Sequence, residues 1–164
     1  MTSVLIAGVG GQGSIFAARV LGETALRLGL NVRGSETIGM AQRGGSVVSH
    51  VRMSEAEIAS PMIPPGMADA LIALEPSEGE RNRCFMREGG LYVCCGAAQR
   101  AEFISQCGAK SLNAALLGMA ARMGAFPFDI DDLIETLRSF GRPQFAQMNL
   151  KALMMGAEMT GGQS

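Results

Sequence analysis

Tryptophan is absent and tyrosine occurs once, so the chain has few aromatic platforms on which single-stranded bases stack. An excess of charge is missing too: 14 basic residues stand against 15 acidic ones, net charge −1, with no basic block. Phosphate-tracking binding needs such a block, so no nucleic-acid partner is expected. No window approaches the roughly 20 apolar residues that a membrane-spanning helix requires. The first residues carry neither a basic stretch nor a small-residue cleavage site. A cytoplasmic protein with no membrane partner is the expectation.

Cysteine is scarce and wrongly spaced for redox work. Cys84, Cys94, Cys95 and Cys107 show no C-x-x-C pattern, and adjacent Cys94 and Cys95 are poor disulfide partners. They also make a poor set of iron–sulfur ligands and are expected as reduced, buried thiols. No Ser/His/Asp set, zinc spacing or pair of catalytic carboxylates is visible. The lone His50 is expected to be structural, and Asp131 and Asp132 read as capping residues at a helix start. No catalytic residue and no metal site can be named.

Glycine is what the chain has in the right place. Gly8-Val9-Gly10-Gly11-Gln12-Gly13 follows the apolar run Ser3–Ala7 and leads into a helical pattern over Ser14–Leu28. A strand, a glycine turn and a helix start in that order offer backbone N–H groups to an anion. Gly8, Gly10 and Gly13 match G-x-G-x-x-G, and Glu36 lies 23 residues beyond Gly13, where a dinucleotide fold puts its ribose-binding acid. Dinucleotide binding and a purely structural turn both stay open. A second glycine cluster spans Ser35–Ser46. In it Arg43, followed by Gly44 and Gly45 and preceded by Gln42, can extend a guanidinium from a backbone close to its partner. The alternative is a solvated surface turn.

Periodicity organises the rest. Gly29 reads as a C-cap, Leu30–Arg33 as a second strand, Ser35–Gly45 as loop and Ser46–Met53 as a third strand. Pro61, Pro64 and Pro65 make residues 58–66 irregular, and Ala70–Leu74 and Leu91–Cys95 read as buried strands. Helices are predicted over Ser111–Met123, Asp129–Phe140 and from Pro143, the last with Met148, Ala152, Met155 and Met159 on one stripe. Strands and helices alternate early, and helices dominate late. The fold class is therefore α/β: a three-layer, doubly wound, largely parallel and Rossmann-like sheet in a single domain with a helical C-terminal part. Residues 1–159 form that domain and 160–164 a frayed tail. The 12 methionines fit either an irregular core or a face buried against a partner.

Taken in order, Gly8–Gly13, the stretch Ser35–Arg52 and Ser60-Pro61-Met62-Ile63-Pro64 resemble the gamma subunit or domain of 2-oxoacid:ferredoxin oxidoreductases. Within that family, Gly39–Val47 is most similar to the small (beta) subunit of the indolepyruvate type. The resemblance is close over residues 3–80 and looser at Asn113–Gly118 and Asn149–Gly156, and the stretch between Leu91 and Ser111 is shorter than in the family. The resemblance implies a subunit, inactive alone, of an enzyme that oxidises a 2-oxoacid to acyl-coenzyme A and CO2 and reduces ferredoxin. It implies a large partner subunit holding thiamine diphosphate and iron–sulfur clusters, with ferredoxin as acceptor and a homodimer allowed. It also implies that the glycine rim, Gly8, Gly10, Gly11, Gln12, Gly13, Gln42, Gly44 and Gly45, together with Arg43, is available for coenzyme A phosphates or a partner carboxylate, while Glu36 stays a cofactor-binding candidate through its ribose-acid spacing. The rival reading is a stand-alone dinucleotide-binding or regulatory module.

Overall fold

The structure, a computed structural model, describes residues 1–39, 44–140 and 143–159. Its sheet has five strands, β1 (Thr2–Val9), β2 (Asn31–Ile38), β3 (Ser46–Ser54), β4 (Ala68–Ala73) and β5 (Met86–Val93), in the order β2-β3-β1-β4-β5. Six helices accompany it: α1 (Ser14–Arg27), α2 (Pro76–Arg81), α3 (Ala97–Cys107), α4 (Leu112–Arg122), α5 (Ile130–Ser139) and α6 (Pro143–Met159). The expected α/β architecture is present, with helices on both faces of one mixed sheet.

Strand direction follows from connection length. β1, β4 and β5 pair in parallel, whereas β3 runs antiparallel to both β1 and β2. Gly39 N–H donates to the Ser46 carbonyl at 2.7 Å, closing β2 onto β3 as a hairpin. So short a link allows only antiparallel pairing. β3 therefore takes the place beside β1 and pushes β2 to the sheet edge.

β1 is buried on both faces, and its alternation serves two cores. Val4 and Ile6 join α1, α4, α5 and α6 through Val20, Leu21, Leu116, Leu117, Leu133 and Leu153. Leu5 and Ala7 face the opposite side with Val48, Ile63 and Leu71. That second layer is thin: α2, the loop after β3 and a 3-10 turn at Arg83–Phe85 cover it.

Several expected boundaries move. Ser35–Ile38 is strand, not loop, because ladder bonds to β3 hold polar residues extended at the edge. β5 begins at Met86, five residues before the apolar run, again on an edge strand. α2 and α3 carry no apolar stripe to announce them. α3 buries only Phe103 and Cys107, and it fills the stretch that looked short. On α6 the inward ridge is Asn149, Ala152, Leu153 and Gly156, while Met148 is exposed. Cys84 is exposed and Cys94 half-buried, so only Cys95 and Cys107 match the expected buried thiols. The capping reading holds for Asp132, which accepts from Asp129 N–H, but the cap itself is Asp129, which accepts from the Asp131 and Asp132 N–H groups, and Asp131 contributes only its N–H. Residues 160–164 and Gly141 lie outside the described residues.

His50 acts as a structural tie. Its Nδ1 accepts the Ile63 N–H at 3.2 Å, and its ring meets Phe85 edge-on at 5.7 Å, fastening the Pro-rich loop to the sheet. Burial lowers its pKa below the usual 6.5. The unfolded chain then takes up the proton first as pH falls past about 6.5, so stability present above that value is lost below it. This is the chain's one histidine. Unfolding free energy should fall between pH 7.5 and 5.5, and His50→Gln should flatten that slope; an unaltered slope contradicts the assignment.

α4 and α6 cross with their backbones in contact. A Cβ on Gly118 would overlap the Leu153 carbonyl, and one on Gly156 the Ala115 carbonyl. Alanine normally stabilises a helix relative to glycine. Here Gly156→Ala should instead cost about 3 kcal/mol in urea unfolding, since two packed helices must separate.

Candidate functional site

The two glycine clusters meet. Gly10 N–H donates to the Gly45 carbonyl at 2.9 Å, joining the turn after β1 to the β2–β3 hairpin at the carboxyl end of β1. Gly8, Gly10, Gly11, Gln12, Gly13, Gly44 and Gly45 thus share one lip. Gln42 and Arg43 lie outside the described residues.

The glycines have different jobs. A Cβ on Gly8 would crowd Gln12 Oε1 at 2.8 Å and Leu74 Cβ at 3.0 Å, and one on Gly13 would overlap the Asn113 amide. Both positions are bare to admit the protein's own side chains. Gly11, at φ +93°, faces open space with nothing within 4 Å of a built Cβ. Its open face lines a cleft beside the turn.

Side chains hold the turn from two sides. Val9 N–H donates to Gln12 Oε1 at 3.0 Å, and Gln12 Nε2 donates to Glu75 Oε2 at 2.9 Å. Arg100 completes that side, donating to Glu75 at 3.3 Å and to the Leu74 carbonyl at 2.8 Å. Buried Glu78 accepts from Ser46 Oγ at 2.7 Å and from Arg81 at 3.1 Å. On this flank each acid is paired with an arginine. On the other flank Asn113 Nδ2 donates to the Gln12 and Gly13 carbonyls, each at 3.3 Å.

The amino end of α1 opens on that second flank. No side chain caps it, and its first turn contains no acid, so its N–H groups and positive dipole end are free to meet an anion. A cleft of about 360 Å³ lies there, lined by Gly11, Gln12, Gly13, Phe16, Lys110, Ser111, Asn113, Phe145 and Asn149. Lys110, Asn113 and Asn149 were missed as site residues by reading the sequence. The available signals were an Asn within the apolar α4 pattern and the looser resemblance that begins at Asn113 and at Asn149.

Glu36 is not brought to this lip. Its partner in the ladder is Ser49, so β3 separates it from β1, by two strand spacings or roughly 10 Å. It lines instead a groove of about 550 Å³ between α1 and β2, with Arg19 and Glu23. Cys94 and Cys95 are poor nucleophiles: burial raises the pKa of both, and neutral thiols are poor attackers. Tyr92 is pushed up to about 12, chiefly by burial, so it remains a neutral phenol.

The protein-family model described as pyruvate ferredoxin/flavodoxin oxidoreductase matches residues 3–159. The chain is similar to the indolepyruvate oxidoreductase subunit IorB of Archaeoglobus fulgidus, 33% identical over 94% of this chain and 92% of that protein. It is also similar to the ketoisovalerate oxidoreductase subunit VorA of Methanothermobacter thermautotrophicus, 28% identical over 94% of this chain but 35% of that protein. Among solved structures, the gamma subunit of a keto/oxoacid ferredoxin oxidoreductase from Geobacter sulfurreducens superposes with a TM-score of 0.78 at 24% identity, covering 99% of this chain and 100% of that one. The 2-oxoglutarate:ferredoxin oxidoreductase of Magnetococcus marinus, solved with 2-oxoglutarate, coenzyme A and succinyl-CoA bound, gives 0.81 at 19% identity, over 99% of this chain and 31% of that one. At these identities the superpositions establish the fold.

Gly13 tests the held turn. Its φ of +81° and the Asn113 contact both oppose a side chain. Gly13→Ala should cost about 2 kcal/mol or more, whereas Gly96→Ala, where a Cβ meets nothing within 4 Å at negative φ, should be near neutral by the same thermal unfolding measurement.

Proposed function

The chain belongs to the pyruvate ferredoxin/flavodoxin oxidoreductase family, and on that premise we propose that it is the small subunit of a 2-oxoacid:ferredoxin oxidoreductase acting on an aryl pyruvate such as indolepyruvate. The reaction cleaves the bond between the oxo carbon and the carboxyl group, releases CO2, joins the acyl group to the thiol of coenzyme A, and hands the electron pair to ferredoxin. The chain's part is to complete the coenzyme A region and the assembly, not to hold the redox centres.

The observation that carries this reading is the lip itself. The Gly10–Gly45 bond brings two side-chain-poor turns together at the carboxyl end of β1, where α/β sheets take their ligands. A lip is half a pocket, and a large partner subunit supplies the rest. In VorA and the Magnetococcus enzyme the corresponding unit is about a third of a longer chain, which fits a module that works beside others.

The donor set does not fit an iron–sulfur cluster. Among the described residues no group of three or more His, Cys, Asp or Glu side chains is placed to hold a metal. Cys84 is at the surface while Cys95 and Cys107 sit in the core. The proposal therefore puts clusters and thiamine diphosphate on the partner, where the thiamine supplies carbanion stabilisation when bound. This chain's Gly8, Gly10, Gly11, Gln12, Gly13, Gln42, Arg43, Gly44 and Gly45 would shape the lip and offer donors to coenzyme A phosphates or a partner carboxylate. Glu36, on the far side of β3, would act at an interface rather than on a ribose, and the stand-alone dinucleotide reading loses its acid. No described helix is long and apolar enough to cross a membrane. A cytoplasmic enzyme with ferredoxin as acceptor completes the proposal, and its small subunit could also self-associate.

Reconstitution tests the reading. The chain alone should show no 2-oxoacid oxidation, and adding the thiamine-binding large subunit should restore coenzyme A-dependent ferredoxin reduction. Arg43→Ala should raise the KM for coenzyme A or weaken assembly by about tenfold, the worth of one charge-assisted hydrogen bond. Full turnover by the isolated chain contradicts the proposal.

A further inference from the structure

Among the described residues no strand pairs with the outer edge of β2. It is the terminal strand of the sheet, 8 residues long, and its ladder to β3 runs unbroken from Asn31 opposite Ser54 to Ile38 opposite Val47. The Gly39–Ser46 bond marks which pairs of that ladder are hydrogen-bonded. Alternation then turns the N–H and C=O groups of Val32, Gly34, Glu36 and Ile38 outward. Natural edges are commonly blunted by a bulge, a proline or a lysine, and β2 has none of these. Its Arg33 is drawn to the Ile58 carbonyl at 3.4 Å, and Ile38 is 61% exposed. A Cβ on Gly34 would meet only the His50 carbonyl at 3.5 Å, an ordinary contact, and its φ is not positive. The chain's own packing therefore does not demand a glycine there, whereas a strand glycine often marks the close approach of another backbone. The adjoining groove of about 550 Å³ is walled by Arg19 and Leu26 of α1, the latter 56% exposed, and by Val32, Gly34 and Glu36 of β2.

We infer that this edge pairs with the same edge of a second copy, β2 against β2 in antiparallel fashion, across a two-fold axis centred on Ser35. Such an axis sets one residue opposite itself. Only Ser35 at the centre pairs all four open positions with one another. Val32 then faces Ile38 of the second copy and Gly34 faces its Glu36, each pair exchanging both backbone bonds. Centring on Gly34 would set Ile38 against Leu30, whose N–H is already given to the Ala25 carbonyl. Centring on Glu36 would oppose like charges. In the Ser35 register the exposed Ile38 of one copy meets Val32 and Leu26 at the groove of the other. Its Glu36 stands over bare Gly34, beside Arg19. The pattern is self-complementary in backbone, apolar contact and charge, which is why the occupant is a copy of this chain. The contact uses the outer edge of β2, not the glycine lip, and does not rest on the coenzyme A reading.

Cross-linking tests the register on the full chain, with exposed Cys84 first removed as Cys84→Ser. Ser35→Cys, opposite itself at roughly 4.5 Å between Cα atoms, should give a disulfide-linked dimer on copper–phenanthroline oxidation. Thr37→Cys, on the same face but about 14 Å from its own copy, should stay monomeric on a non-reducing gel. By analytical ultracentrifugation the parent chain should sediment as a dimer. Gly34→Glu, which sets like charges opposite each other twice, should raise the dimer dissociation constant about tenfold. Adding Glu36→Lys to that variant should restore most of the loss, an effect that a merely misfolded strand would not show. A parent that sediments as a monomer, or a Thr37→Cys chain that cross-links as readily as the Ser35→Cys chain, overturns the inference. So does hydrogen-exchange protection of β2 that arises only on adding the large subunit, which would assign the edge to that subunit. None of these outcomes touches the coenzyme A reading.

Discussion

One backbone hydrogen bond organises the functional end of this molecule: Gly10 N–H to the Gly45 carbonyl, 2.9 Å. It ties the turn that launches α1 to a hairpin closed at its base by the Gly39–Ser46 bond. The described parts of both turns are rich in glycine, so backbone lies open along the lip. The antiparallel β1–β3 register, Val9 opposite Ser46, brings the two turns to the same height. Removing that register would leave two unrelated surface loops.

The lip is asymmetric, and the asymmetry has a chemical meaning. Toward β4 the turn is gripped by Gln12, Glu75 and Arg100, a chain in which the Glu75 carboxylate offsets the Arg100 charge. Toward α4 it is gripped by Asn113, beyond which lie an uncapped helix end and a lysine. The first flank gives rigidity and the second accessibility. Gly8 and Gly13 belong to the gripping function, since each makes room for a protein side chain. In a dinucleotide fold, too, the first and third glycines serve the turn and the packing, and only the second admits the pyrophosphate.

How much of this could be read from the residues depends on burial. β1, α1, β4 and α4 bury whole stripes and were visible as periodicity. The last half of β2, α2 and α3 sit at edges, bury little, and carry no pattern to find. Glu36 shows a second limit. Its spacing from Gly13 fits a ribose acid only if β2 neighbours β1. The short hairpin that interposes β3 acts through chain connectivity, which no residue type records. Asn113 was hidden for the opposite reason, being a polar residue whose partners are a hundred positions away.

The central claim is that the lip is finished by another polypeptide. Hydrogen–deuterium exchange on the chain, free and assembled with its large subunit, measures this most directly. The account expects new protection on assembly at residues 8–14 and 39–46, while the β2 edge and the amino ends of the strands change little. Protection confined to those other surfaces, with the glycine turns exchanging as fast in the complex as in the free chain, would contradict it.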